Sequence, residues 1–254
     1  MENRFILTPF FIDRPVDHFR SLAGDDWVVN TPPLPAGELQ DRVSCLHRPL
    51  ADFVHDTVAA GRRPVSFCGD CCSAIAVLAG LQRASVAPTL IWFDAHGDFN
   101  TWETSPSGFL GGMPLAMIAG RGEQRMAAAV DLATQPEARI VLTDARDLDP
   151  EEAVALAASK VVHLPDIGAL LAGPLPEGPL YVHFDCDVID AGEAPAQNYP
   201  APGGPATAQI QAVFHRLAAS GQLAAVSLCA WNPDLDPERT TEATVLEAFD
   251  ALIG

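Results

Sequence analysis

A chain of 254 residues with 48% apolar and 19% charged side chains can bury a sizeable core. Its 15 basic and 33 acidic residues leave a net charge of −18, so a nucleic-acid backbone and an anionic membrane surface are excluded as partners, while metal cations and cationic small molecules fit. The six cysteines, Cys45, Cys68, Cys71, Cys72, Cys186 and Cys229, are scattered through apolar surroundings and read as free thiols rather than a disulfide framework.

The first residues, Met1 to Phe5, show no basic region ahead of an apolar run, and no apolar stretch has the length of a membrane span. A cytoplasmic protein is expected. Residues 4–11 read as an early strand, and the rest of the first 60 residues have no clear pattern. Strands follow at 65–68, 89–93, 139–142, 160–163, 180–184 and 223–229, each a short apolar run. Helices are expected at 73–83, 207–220 and 238–252, and another starts at Asp149, with Pro150 at its first position and Glu152 two residues on. Continuous apolar strands separated by helices imply an α/β protein with a mostly parallel sheet covered on both faces, here one domain over 1–254.

Two strands run straight into acids. The first leads into Asp94-Ala95-His96-Gly97-Asp98, the second into Asp185-Cys186-Asp187-Val188-Ile189-Asp190. Ligands of open parallel sheets bind at the carboxyl ends of the strands. Alternation would put Asp94, His96 and Asp98 on one side if the chain stays extended, and likewise His183, Asp185 and Asp187. Acids crowded in this way oppose one another's ionisation unless a cation sits among them. Carboxylates with an imidazole suit Mn²⁺ and, less well, Zn²⁺ or Fe²⁺, and two bridged ions would activate a water for attack on an electrophilic carbon.

The segment 94–100, Asp-Ala-His-Gly-Asp-Phe-Asn, resembles the metal signature of the arginase/agmatinase (ureohydrolase) family, and 184–190 resembles its second signature. Residues 105–114, ending Gly-Gly-Met-Pro, resemble the family's substrate loop, and Arg146-Asp147-Leu148-Asp149-Pro150 and Asn232-Pro233 fall at matching places. The resemblance implies a three-layer α/β/α fold, a homo-oligomer (trimer or hexamer), two divalent ions, Mn²⁺ foremost, and hydrolysis of a linear guanidino or amidino compound. It implies that Asp94 and Asp185 bridge the metals, that Asp98 completes the first shell, and that His96 and Asp187 complete the second. It further implies that Asp149 contacts the substrate's amino end or its neighbourhood, and that Asn100 and Ser107 stand where an amino-acid carboxylate is recognised.

Four departures stand against this background. Cys71, in Cys68-Gly69-Asp70-Cys71-Cys72, occupies the place of the first His ligand, and its softer thiolate favours Zn²⁺, Fe²⁺ or Co²⁺. Cys72 reads as helix packing. Gly111 occupies the place of a proton-shuttling loop His, Ala230 that of the acid that pairs with the guanidinium, and Phe109 that of a polar loop residue. The missing acid removes a contact worth about 1.5–3 kcal/mol, so an N-hydroxyguanidino, formimino or amide group is favoured over plain arginine. Asp98 or His183 would carry the proton to the leaving amine, His183 because alternation turns it toward the site. Two other readings stay open: a single-metal deacetylase-like amide hydrolase using His96 and the acids, and a member that binds metal without turnover. Trp231 and Phe109 are candidates for an apolar pocket wall or for core.

Overall fold

A computed structural model describes residues 1–229 and 231–254. Eight strands form one sheet in the order Val28–Val29, Asn3–Thr8, Arg63–Cys68, Leu223–Cys229, Leu180–Asp185, Thr89–His96, Ile140–Asp147 and Val162–Leu164. Every pairing in it is parallel. Alternate side chains of each strand enter opposite layers. Leu90 and Trp92 pack with Leu50 and Val54 of the helix Leu39–Ala59 and with the helix Ala74–Arg83. Ile91, Phe93, Val182 and Phe184 pack with Phe214 of the helix Thr207–Ala219 and Phe249 of the helix Thr240–Ile253. The result is the three-layer α/β/α arrangement. No helix among the described residues is long and apolar enough to cross a membrane.

The differences from expectation lie mostly at element ends and in the first 60 residues. The strand expected at 139–142 runs on to Asp147, the one at 89–93 runs on to His96, and the one at 160–163 lies at Val162–Leu164. The largest difference is the 21-residue helix Leu39–Ala59, which contains Pro49. An interior proline costs a helix about 3 kcal/mol. The buried stripe Val43, Leu46, Leu50 and Val54 offsets that cost by packing on the sheet layer.

The early strand divides in two. Asn3–Thr8 joins the sheet, whereas Phe10–Phe11 turns back antiparallel to Arg14–Pro15. Ile12 adopts a left-handed φ of 57°, and its N–H donates to Asp70 Oδ2 at 2.6 Å. That bond ties the N-terminal hairpin to the turn carrying Cys71 and brings Phe11 to the carboxyl edge of the sheet.

Candidate metal centre

Three strands empty their carboxyl ends into one cavity of about 320 Å³. The strand Thr89–His96 carries Asp94 and His96 itself. Asp98 arrives differently from expectation: its φ of 48° is left-handed, so a turn and not extended alternation swings its carboxylate back beside Asp94. Gly97 makes the turn possible, because a Cβ there would stand 2.6 Å from Leu148 Cδ2 and 2.7 Å from the Glu152 carboxylate. After Leu180–Asp185 the chain enters a short 3-10 turn, where Asp187 N–H donates to Asp185 Oδ1 at 2.9 Å. After Arg63–Cys68, Asp70 caps the next turn by accepting from Cys72 N–H at 2.9 Å, which directs Cys71 into the cavity.

Cys71, Asp94, His96, Asp98, Asp185 and Asp187 all line that cavity. Ligand atoms of Asp94, His96 and Asp187 lie within 4.8 Å of one another, as do those of Cys71, Asp94 and Asp98. His96 Nδ1 stands 2.9 Å from Asp187 Oδ2 and 3.4 Å from Asp94 Oδ1, while its Nε2 lies 4.0 Å from Asp147. Cys71 Sγ donates to Asp185 Oδ2 at 2.8 Å. Trp92 Nε1–H and His96 N–H hold the two oxygens of Asp94 at 3.0 and 2.7 Å.

The electrostatics are those of a cation site. Burial, then the charge of Asp187, pushes Asp94 up to about 6. Burial and the neighbouring acids push Asp98 and Asp185 well above the carboxylate range. Burial pulls His96 down, but Asp187 and Asp94 outweigh it and push the imidazole up to about 12. Burial opposes ionisation of Asp187 too, and there the contact with His96 prevails and holds it low. Asp98 Oδ2 is buried with no hydrogen-bond partner among the described residues. These donors therefore fit divalent ions: a buried, partly orphaned acid set whose one imidazole is driven to take a proton has the charge deficit a cation removes.

The residues expected to contact substrate line the cavity as well. Asn100 Nδ2–H donates to Asp149 Oδ2 at 2.9 Å, and Ser107 Oγ accepts from Phe109 N–H at 3.2 Å. Asp149 begins the helix Pro150–Ala157 as expected, its N–H donating to Glu152 at 3.1 Å. His183 is placed otherwise than a proton shuttle requires. It does sit on the face shared with Asp185, but one layer down: it is 0% exposed, stacked on Trp92 and absent from the cavity lining. Burial also drives its imidazole down to about 3, leaving it neutral. Cys72 is packing, as expected, its Sγ facing Leu110 O at 3.8 Å. Trp231 is both wall and core, lining the cavity while it meets Phe19 edge-on at 5.5 Å. Ala230 lies outside the described residues.

Phe109 does form an apolar wall opposite, but sequence reasoning missed its partners there. Phe109 stacks at 6.1 Å on Phe11 and lies tilted at 5.1 Å from Tyr199, and Gln197 and Asn198 line the cavity beside them. The run Gln197-Asn198-Tyr199 sits in the proline-rich stretch 193–205, and its two amides after a metal-type signature were the available signal.

Arg146 secures the loop that bears Asp187. Its guanidinium donates to Asp144 Oδ2 at 2.6 Å and to the carbonyls of Val188, Asp187 and Ala201 at 3.1, 3.1 and 3.2 Å. Arg146→Met should therefore leave three carbonyls and a buried acid without their donor. We expect a loss of about 2 kcal/mol or more in urea unfolding, together with weaker metal retention on dialysis. Unchanged values for both would show that the clamp is dispensable.

The family model for the arginase family matches residues 16–254. The chain belongs to the arginase family. Members of this family, this chain included, are hydrolases of carbon–nitrogen bonds in linear amidines. The chain is 30% identical to an N(omega)-hydroxy-L-arginine amidinohydrolase of Streptomyces lavendulae over 260 residues, covering 99% of this chain and 88% of that protein. It is 31% identical to an arginase of Bacillus subtilis (strain 168) over 81% of this chain and 73% of the relative. The crystal structure of arginase from Bacillus subtilis superposes with a TM-score of 0.82 at 24% identity, over 100% of this chain and 99% of the other, and so shares the arginase fold.

Proposed function

We propose that this arginase-family protein hydrolyses a guanidino compound whose amidine end is less basic than that of arginine, an N-hydroxyguanidino or formimino group being favoured. The observation that carries the hydrolytic part is the convergence of Cys71 and five acid or imidazole side chains on one cavity floor. Two divalent ions would be held there, Asp94 and Asp185 serving both, His96 and Asp187 the one, Cys71 and Asp98 the other. Mn²⁺ suits the carboxylate-rich side, and the thiol opens the other to Zn²⁺, Fe²⁺ or Co²⁺. When bound, such ions polarise the amidine and make water a better nucleophile.

The chain's own residues do the rest. Asp149 receives the substrate's ammonium, and Asn100 beside it and Ser107 at the rim take its carboxylate. The Phe11–Phe109–Tyr199 wall gives one flank of the cavity an apolar face. Asp98, with Oδ2 lacking a hydrogen-bond partner among the described residues, is the carboxylate placed to pass a proton to the leaving amine. His183, out of reach below the floor, takes no part in that transfer.

Three observations support the substrate preference. Ala230 offers no carboxylate to a guanidinium, Gly111 offers no imidazole, and the relative from Streptomyces lavendulae is named for an N-hydroxylated substrate. We further infer one domain over 1–254, a homo-oligomer of trimeric or hexameric order and a cytoplasmic location, the first two open to limited proteolysis and light scattering. The decisive assay incubates the full chain with Mn²⁺ or Zn²⁺ and arginine, N-hydroxyarginine or formimino substrates. Urea, hydroxyurea and ammonia are then measured. We expect kcat/KM for N-hydroxyarginine or a formimino compound to exceed that for arginine by about tenfold or more. A preference for arginine, or no turnover of any of them, would overturn the proposal.

A further inference from the structure

Below the cavity floor three ligand atoms converge that the hydrolytic reading leaves without a role as a set. Cys71 Sγ, Cys229 Sγ and a ring nitrogen of His183 all lie within 4.8 Å of one another, and all three residues are buried. The parallel pairing explains the meeting. Cys229 ends a strand flanked on one side by Cys68, just ahead of the Cys71 turn, and on the other by the strand bearing His183 and Asp185.

The imidazole is oriented for ligation. Its Nδ1 lies 2.8 Å from Ser227 Oγ, which in turn meets Tyr181 OH at 2.7 Å, and Trp92 covers the ring at a centroid distance of 3.9 Å. A metal-bound histidine needs this kind of partner on its second nitrogen. Nε2 is left facing Cys229 Sγ at 3.5 Å. Sulfur is a weak partner for a fully buried imidazole nitrogen. The distance nevertheless suits a tetrahedral metal, because zinc bonds of about 2.3 Å to sulfur and about 2.0 Å to nitrogen put the two ligand atoms about 3.5 Å apart.

We propose that Cys71, Cys229 and His183 Nε2 form a three-residue soft-metal site for Zn²⁺, its fourth position left to solvent on the side where Asp185 Oδ2 stands 2.8 Å from Cys71 Sγ. Each thiol gives up its proton to solvent as its sulfur–metal bond forms, so two protons leave per ion bound. The site rests on the reading of Cys71 as a ligand and changes the character of the ion beside it. Two thiolates and an imidazole select Zn²⁺ over Mn²⁺, while the Asp94, His96 and Asp187 group keeps its hard-ion preference. The protein would then hold unlike metals on the two sides of its carboxylates.

The test reads metal and not turnover. Full-length chain, stripped with chelator and loaded with Co²⁺, should show a thiolate-to-cobalt charge-transfer band that falls by about half in Cys229→Ser and in Cys71→Ser, because each sulfur bond contributes to it. Cys68→Ser and Cys72→Ser, neighbouring buried thiols outside the set, should keep the parental band. Should a variant fail to fold, X-ray absorption of the zinc-loaded parent counts its sulfur ligands, and two are expected. A band lost in Cys71→Ser but intact in Cys229→Ser overturns this site and leaves the carboxylate shell with Cys71 standing. Absence of the band, one sulfur or none per zinc, or a Cys71–Cys229 disulfide in the purified protein overturns it as well.

Discussion

Asp94→Asn is expected to abolish turnover while leaving a folded protein. Asp94 is buried between the two proposed metal positions and belongs to both ligand groups that face the cavity. Asparagine keeps the shape but removes the charge that two cations would share. It also turns an NH₂ toward one of two donors, Trp92 Nε1–H or His96 N–H. Removing a mere partner of a ligand costs about 10- to 100-fold in affinity or activity, so the loss of a shared ligand should exceed that range. Stability separates this from unfolding. In chelator the variant loses one of several mutually repelling acids and should melt close to the parent. Added metal should raise the parent's Tm, since it binds the folded state, and should raise that of the variant far less. Equal metal content and equal rate in parent and variant would end the binuclear reading.

The second large effect concerns a pair. A Cβ on Gly111 would stand 2.3 Å from Phe109 Cε1 and 2.5 Å from Cζ, closer than real side chains approach. The Phe109 ring thus occupies the room that a side chain at 111 would need, and Phe11 and Tyr199 keep it there. Gly111→His alone should expel the ring from its aromatic neighbours, at an overpacking cost of about 1–3 kcal/mol. It should lower activity as the loop loses its shape. Phe109→Asn together with Gly111→His frees the space and sets an imidazole beside the cavity. Proton transfer by a positioned His is worth about 10²-fold, so the double variant should gain on plain guanidino substrates where the single one loses. A double-mutant cycle in kcat/KM and in unfolding free energy checks this, and strict additivity would show that the two positions are independent.

What the sequence discloses about this centre depends on how local each feature is. Asp94, His96, Asp185 and Asp187 sit within a few residues of apolar strands, and the rule that sites form at strand carboxyl ends places them without a structure. Asp98 was rightly placed for the wrong reason, since alternation assumes an extended chain and the residue turns left-handed. His183 shows a different limit. Period-two alternation gives the face of the sheet, but depth is set by the bulk above it, here Cys71 and Asp185. Phe11 and Tyr199 could not be read as neighbours of Phe109, because only the hairpin tied down by Asp70 and the loop after Asp187 bring them together. The helix Leu39–Ala59 was obscured by Pro49, where tertiary packing prevails over local preference.

The order of strands in the sheet has a consequence for how the protein matures. The strand carrying Cys229 lies between those ending at Cys68 and Asp185, so the last strand of the chain to be synthesised is inserted between two made earlier. Parallel neighbours of such wide sequence separation form late in folding, after the loop-closure entropy has been met. Until that insertion, the turn bearing Cys71 and the segment bearing Asp185 have no fixed separation, whereas Asp94, His96 and Asp187 can already meet, because their strands pair directly. The Asp94, His96 and Asp187 group can therefore assemble ahead of the Cys71 side of the centre, which only the last insertion completes. Filling of the Cys71 side should accordingly be a step of the finished molecule, later than filling of the side built on the two directly paired strands.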